Sequence, residues 1–482
     1  MRHATLPART DVPVDWIKEP NMKGRGTDGI REGPERLSPL DVSNLRTEDQ
    51  GLPMHVAALA FLDAEGLLNS AGQLRLQDIR EHVERRTHRS RRLRQLLARP
   101  RFGLGPPFWT DDPAFDIARH VKARPVPAPG DEASLLALCS ELNEPALPRS
   151  RPLWEMWLLT GLTGNRAALL IRLHHAAADG LAAQNLLAAL FDPDNRTSAA
   201  EEVPADPQPR PSDWQLFTGN ARDRGRALAR VLANPARPAR LAAFIARTAA
   251  QMLSLARAGR APALSLNQPV GPRRRFILVR SDLAATKALA YQHGAKLTDV
   301  LLAAYAGGCR RLLESRGELT PGLELKVSVA TSLRGPDQST GGNRVGVRIV
   351  PLPVGEPHPV RRLKRIAQAT SAQRTRPPYQ PGSRLLQRWM VRAMFHQRLV
   401  NLLLSNLPGP PAPVYFAGAR VLEMFQIGVV QGNIPLGLSV LSYSGQLNTA
   451  IVADVHAIPD LEAFSRGLSD AFEQLHMGPP AS

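Results

Sequence analysis

Only two of the 482 residues are cysteine, Cys139 and Cys309, far apart and in segments patterned as helices. That excludes a disulfide framework and a cysteine-rich metal site, and it fits a reducing cytoplasm. No stretch approaches the roughly 18 uncharged apolar residues of a membrane-spanning helix. The opening Met1-Arg2-His3-Ala4-Thr5-Leu6-Pro7 lacks the apolar core of a secretory signal. There is no Gly-x-Ser-x-Gly elbow to announce a serine hydrolase. Acid is in deficit, with 43 Asp and Glu against 61 Lys and Arg, a formal net charge of +18. Such a balance attracts polyanions, whether anionic lipid, nucleic acid or a phosphate-bearing cosubstrate. A GC-rich genome, which favours Arg and Ala, yields the same balance without a functional surface.

Histidine is scarce too, 12 in all, which makes one stretch conspicuous: Leu173-His174-His175-Ala176-Ala177-Ala178-Asp179-Gly180. The apolar run from Ala167 to Leu173 leads in with the character of a buried strand, and Leu181 to Phe191 leaves as an amphipathic helix. Upstream, Pro152 to Leu159 is rich in strand formers, and Gly161, Gly164 and Asn165 supply a turn. The paired histidines therefore end a hairpin.

The length exceeds what one core organises, so two lobes are expected. Residues 1–34 read as a flexible extension, 35–191 as an N-terminal lobe, 192–265 as a Pro- and Arg-rich helical linker, and 266–482 as a C-terminal lobe. Order begins at Leu37-Ser38-Pro39-Leu40-Asp41, and Pro53 to Phe61 makes a first strand. A helix covers Leu76 to His88 with Ile79 and Val83 inward, and runs into a basic cluster, Arg85 to Arg94, read as a solvated helix end. Leu135 to Leu142 is helical, with Cys139 a buried small hydrophobe. In the linker, Leu241, Phe244, Ile245, Met252 and Leu255 form an apolar stripe beside arginines, suited to bridging two lobes or to lying on an anionic membrane. Thr298 caps a helix running to Leu313. Strands follow at Leu325 to Ala330, Val345 to Val354 and Leu402 to Leu407, so both halves are α/β.

Adjacent residues at a strand end point to opposite sides, so only one of His174 and His175 faces a given site, which argues against a metal centre. What remains is one histidine as general base, taking a proton from an alcohol or amine near neutrality and returning it to a leaving group. Two substrates held together need no covalent intermediate for this chemistry. Asp179, if buried, needs an arginine partner, and Arg334 is the candidate. Gly180 lets the loop turn. In the competing interpretation, both histidines are satisfied core residues and Asp179 caps the next helix.

The sequence resembles the bacterial wax ester synthase/diacylglycerol acyltransferase family, within the CoA-dependent acyltransferases of chloramphenicol acetyltransferase fold. The resemblance rests on His174 to Gly180, with Leu37 to Asp41, Pro53-Met54-His55-Val56, Pro152-Leu153-Trp154, Leu266 to Gly271, Ser332-Leu333-Arg334, Gly342-Asn343 and Ser405 to Pro410. It implies two lobes around a central tunnel, and acyl transfer from acyl-CoA to a diacylglycerol or long-chain alcohol, giving triacylglycerol or wax ester. It also implies His175 as base, His174 and Asp179 as shapers of the loop, and Pro152, Leu153 and Trp154 lining a channel. Thr298, Asp299, Asn343, Ser405 and Asn406 would fall on the substrate-binding side. No bound cofactor or metal is implied, acyl-CoA being a cosubstrate, and no nucleic acid. Location would be cytoplasmic, with peripheral contact to the inner membrane face or lipid droplets. Thr298 stands where the family usually has asparagine, and His358 where an acid before proline is commoner. Two other functions remain in view: a condensation-type enzyme using a carrier-bound acyl group, and a non-catalytic basic protein binding lipid or nucleic acid.

Overall fold

Two six-stranded sheets organise the chain, and each is built from strands whose apolar runs need cover on both faces. The computed structural model describes residues 35–100, 105–177, 183, 186–195, 211–232, 246, 259–332, 345–374 and 394–477. Expectations for residues 1–34, Asp179, Gly180, Arg334, Asn343 and the stripe from Leu241 to Leu255 lie outside the described residues. The strands are β1 (His55–Asp63), β2 (Gln95–Ala98), β3 (Phe108–Asp111), β4 (Val121–Pro125), β5 (Trp154–Leu162), β6 (Arg166–His174) and β7 (Arg274–Asp282). They continue with β8 (Leu325–Ser332), β9 (Val345–Leu352), β10 (Leu402–Leu407), β11 (Tyr415–Phe416), β12 (Ala419–Ile427), β13 (Leu436–Tyr443) and β14 (Gln446–Asp454). The main helices are α1 (Pro39–Glu48), α2 (Leu76–Thr87), α3 (Glu132–Asn143), α4 (Asp213–Leu232), α5 (Leu283–Gln292), α6 (Leu297–Ser315), α7 (Pro359–Arg374) and α8 (Leu461–Met477).

The first sheet has the order β11-β12-β1-β6-β5-β4 and the second β7-β14-β13-β10-β8-β9, with β2 and β3 a separate hairpin. The α/β expectation with two lobes therefore holds. A cut at residue 266 does not separate the sheets, however. β12 comes from the second half and pairs antiparallel with β1, from Ala57 opposite Ile427 onward. Its Phe425 and Ile427 complete an apolar cluster with Leu59 and Leu170, an energetic reason for the crossover. The expected hairpin is present: β5 and β6 are antiparallel, and Gly161 near the end of β5 and Gly164 and Asn165 in the turn all take positive φ. β6 is buried at every residue after Arg166, as a continuous apolar run in a central strand should be.

In the second lobe α6 is buried on all sides from Asp299 to Cys309, between its sheet and α8. A Cβ at Gly308 would approach the Phe464 ring to 2.7 Å, so close helix packing requires glycine there. No described helix is long and apolar enough to cross a membrane.

One local expectation gains detail and another changes in part. Leu37 to Asp41 opens a full helix, α1, through a capping box in which Ser38 Oγ accepts from Asp41 N–H and the Asp41 carboxylate accepts from Ser38 N–H. The basic cluster after α2 is only in part the expected solvated end: Arg85, Arg89 and Arg91 are exposed, whereas the others are drawn into the fold. Arg86 is buried and ion-paired to buried Asp192, whose backbone exchanges two hydrogen bonds of 2.8 Å with Tyr415. Burial holds the Asp192 carboxyl above its usual range despite Arg86. Burial also pushes His82 down to about 3, so the ring 3.6 Å from Asp192 is neutral. Arg91 meets Asp111, Arg92 meets Glu35 over the Trp109 ring, and Arg94 lies over Phe115. These cations staple α2, the β2–β3 hairpin and the 183–192 segment together.

Removing one partner of a buried ion pair strands the other's charge. Arg86→Ala is expected to cost about 3–5 kcal/mol of unfolding free energy, read as a shift in denaturant midpoint.

Candidate active site

The hairpin ends in a turn whose backbone N–H groups from His174 to Ala177 are each engaged. His174 N–H donates to Leu153 O at 3.0 Å, His175 N–H to Met54 O at 2.8 Å, and Ala177 N–H to His174 O at 2.9 Å. β1 and β5 thus grip the two histidines from either side. The side chains then part company, as strand geometry requires. His174 has 0% exposure. His175 is only partly buried.

His174 is scaffold. Its Nδ1 accepts the Ala176 N–H at 2.9 Å, so the neutral ring carries its hydrogen on Nε2, which faces Glu48 Oε1 at 3.4 Å. Glu48 Oε2 in turn accepts from Arg149 Nε at 3.0 Å and Nη2 at 2.6 Å. Burial raises the Glu48 pKa, but His174 and Arg149 outweigh it and bring the carboxyl down to about 2. One turn earlier on α1, Asn44 Nδ2 donates to His175 O at 3.3 Å and lies 3.5 Å from His175 Nδ1. Residues four apart share a helix face, so α1 presents Asn44 to one histidine and Glu48 to the other. Sequence reading missed both. The detectable signal was the Ser38–Asp41 capping box followed by this spacing.

Several polar residues nearby are structural. His55, the partner of His174 across the β1–β6 register, donates Nε2–H to Asn143 O at 2.6 Å. Burial and neighbouring Arg172 push it down to about 3, so it stays neutral. Pro152, Leu153 and Trp154, expected to line a channel, are core residues. The Trp154 indole N–H donates to Leu93 O at 2.7 Å and its ring stacks on His120 at 4.4 Å. They hold the histidine turn from behind. Both cysteines are fully buried with thiols pushed up by burial, which removes them as nucleophiles.

A second group comes from the other sheet. Thr298 is not the cap of α6. The helix starts at Leu297, and Asp299 reaches back to accept from Lys296 N–H at 2.8 Å. Asp299 also accepts from Thr370 Oγ1 at 2.7 Å and is buried, so it ties α6 to α7. Thr298 instead receives Asn406 Nδ2 at 3.4 Å on its hydroxyl. Ser405 Oγ accepts from Gln426 Nε2 at 3.1 Å, and because Gln426 lies on β12 this contact joins the two sheets. At the same junction an apolar pocket is walled by Val56, Ala58, Ala188, Phe191, Met424 and Leu441, among others. Gln426 is the one polar side chain among the described residues of its wall. Val56, one of its wall residues, follows His55 directly on β1 and pairs with Leu173 beside the His55–His174 rung.

Comparison with known proteins places this geometry. The description "Wax ester synthase/diacylglycerol acyltransferase catalytic domain" matches residues 37–301, and "WS/DGAT C-terminal domain" matches residues 341–476. The chain belongs to the wax ester synthase/diacylglycerol acyltransferase family. A relative from Mycobacterium tuberculosis (strain H37Rv), named "Probable diacyglycerol O-acyltransferase tgs1", is 32% identical over 461 residues, covering 91% of this chain and 95% of the relative. The solved wax ester synthase/diacylglycerol acyltransferase from Marinobacter aquaeolei VT8 aligns with a TM-score of 0.65 at 22% identity, over 92% of this chain and 99% of the other. The starter condensation domain of rhizomide synthetase RzmA, solved with C8-CoA, aligns at 0.60 and 16% identity, over 92% and 95%. The chain is accordingly an acyltransferase of the wax ester synthase/diacylglycerol acyltransferase type, on a fold shared with condensation domains.

Glu48 gives the fold beside the turn a dependence on pH. Its folded pKa lies below the ordinary carboxyl value of 4.5, so its contribution is complete above that value and lost as pH falls toward 2. Glu48→Gln is expected to flatten the fall in stability between pH 4.5 and 2, measured by thermal melts. At neutral pH it should lower kcat by roughly 10- to 100-fold with little change in KM, since it disturbs placement and not binding.

Proposed function

We propose that this acyltransferase moves the acyl group of an acyl-CoA directly onto the hydroxyl of a diacylglycerol or long-chain alcohol, with His175 as general base. The hydroxyl oxygen attacks the thioester carbonyl while the imidazole takes its proton. The tetrahedral oxyanion then collapses, the C–S bond breaks, and the imidazolium returns the proton to the CoA thiolate, releasing CoA-SH and the ester. No acyl group resides on the protein. The observation that carries this reading is the division of labour at the turn: a buried His174 whose Nε2 lies 3.4 Å from Glu48, and a partly open His175 at the end of β6, next to the strand whose Val56 and Ala58 wall the apolar pocket.

Pocket and polar groups then take their parts. The apolar wall at the sheet junction suits an acyl or alkyl chain. The Thr298 hydroxyl and Asn406 amide, already within 3.4 Å of each other, would donate to the oxyanion or acceptor, with Asn343 as a further contributor. Asp179 would pair with Arg334 to hold the loop, and Gly180 would let it turn. A tunnel between the lobes would admit CoA from one face and the lipid from the other, with 192–265 as linker. Because the acceptor is a lipid and the chain is strongly basic, the protein would work in the cytoplasm, in peripheral contact with an anionic membrane or droplet surface.

The test is mass spectrometry of products from purified protein given mixed acyl-CoAs with alcohol and diacylglycerol acceptors. Wild type is expected to form esters, and His175→Ala to lose about 10²–10⁴-fold in rate while keeping its melting temperature. Undiminished turnover in that variant overturns the assignment. Activity with carrier-bound donors and none with free acyl-CoA decides for condensation chemistry instead.

A further inference from the structure

The apolar pocket at the sheet junction holds one group that a plain hydrocarbon chain cannot satisfy. One end of the Gln426 amide is in use, Nε2 donating to Ser405 Oγ at 3.1 Å. The other end, Oε1, is buried and has no hydrogen-bond partner among the described residues. Ser439, beside Ser405 in the β10–β13 register, accepts from Gly428 N–H at 3.0 Å and leaves Oε1 unmet. A buried carbonyl oxygen without a donor is a cost that asks for an explanation. Register places it part-way along the pocket and not at its end. On β1, Val56, Ala58 and Ala60 alternate onto one face, and β12 sets Gln426 opposite Ala58 and Met424 opposite Ala60. Val56 and Met424 both wall the pocket, so apolar surface lies on either side of the amide. His175 is bound opposite Met54, its N–H donating to Met54 O at 2.8 Å. The rungs of Met54 and Ala58 along β1, with β6 and β12 flanking that strand, put the His175 and Gln426 Cα atoms roughly 16 Å apart. An extended chain advances about 1.2 Å per bond, so once both side chains reach inward about 8 to 13 bonds fit between the reacting carbon and the amide.

We propose that the pocket selects a substrate chain carrying a hydroxyl in its interior, and that Gln426 is the residue that reads it. The inference rests on the reading that this pocket holds a chain of one of the two substrates, and the same chemistry arrives on an acyl chain or on an alcohol. A hydroxyl is the group that fits. It donates to Oε1 as the amide stands, and it accepts from Nε2 with the amide turned over. The terminal torsion of glutamine is broad, so the oxygen swings from the wall toward the chain at little cost. A keto group or a double bond brings no donor. A plain chain lays methylenes over Oε1 and leaves it unpaired, which is the penalised arrangement. Selection of this kind works less by attracting the hydroxylated chain than by rejecting the chain that lacks the group.

The full chain and its Gln426→Met variant are to be assayed with stearoyl-CoA, 12-hydroxystearoyl-CoA and 2-hydroxystearoyl-CoA on one acceptor, and with octadecan-1-ol and octadecane-1,12-diol on one donor. Binding is read separately, by displacement of a fluorescent fatty acid with stearate and with 12-hydroxystearate. Expected for wild type is a kcat/KM about tenfold higher for the 12-hydroxy chain than for the plain or 2-hydroxy chain, in whichever arm, acyl or alcohol, occupies the pocket. Gln426→Met should lower turnover of the 12-hydroxy chain and raise that of the plain one, opposite signs that a loosened sheet junction would not produce. Equal turnover of plain and hydroxylated chains by wild type in both arms overturns the proposal. So does a variant that loses both alike, or one that only accepts longer plain chains. If nothing is esterified, yet 12-hydroxystearate displaces the probe better than stearate and only with Gln426 present, the pocket proposal stands and the catalytic reading falls.

Discussion

The facing of Glu48 and His174 is the contact on which the site depends. A buried imidazole with one nitrogen occupied by a backbone N–H has one remaining demand, an acceptor for Nε2–H. The carboxylate that meets it is itself fixed by Arg149 and by its place at the end of α1. His175 follows directly, its N–H bound to Met54 O and its carbonyl accepting from Asn44, so its place is set by its backbone and not by burial of its ring. Preorganisation of this kind is what the proposed mechanism asks of a single side chain that would act as base without a triad.

The sheets divide the work around that point. The first sheet grips the histidines through β1 and β5, and the second brings Thr298, Ser405 and Asn406 to the junction. β12 belongs to the second half of the chain and to the first sheet, so the halves are interlocked and not merely apposed. Arg280 on β7 reinforces this by reaching Glu132 of α3 and Glu423 of β12. A pocket formed at such a junction takes its shape from both lobes, which suits an enzyme that must align two substrates.

Local chemistry was legible in the sequence and long-range pairing was not. The hairpin could be read because an apolar run with turn residues on one side and paired histidines on the other has few alternatives. Helix α2 and buried Cys139 followed from periodicity. Asn44 touches His175 across 131 positions, and no local pattern announces that contact. Arg86 looked solvated because its partner Asp192 lies 106 residues on. The local pattern marks Thr298 as a cap, yet the fold uses Asp299 to bind α6 to α7 and brings Thr298 to Asn406. Trp154 sits in a stretch the family resemblance marks, but its indole is consumed by Leu93 and His120, so a recognisable motif here supports the site from the core.

The central claim is direct transfer, with His175 moving a proton and no acyl group resting on the chain. Rapid-quench reaction with radiolabelled acyl-CoA, run with and without a lipid acceptor, tests it most directly. The expected result is labelled ester only when acceptor is present, CoA release in step with it, and no label on protein at any time. Label that builds on the protein before ester appears, or CoA release in a burst without acceptor, would contradict the account.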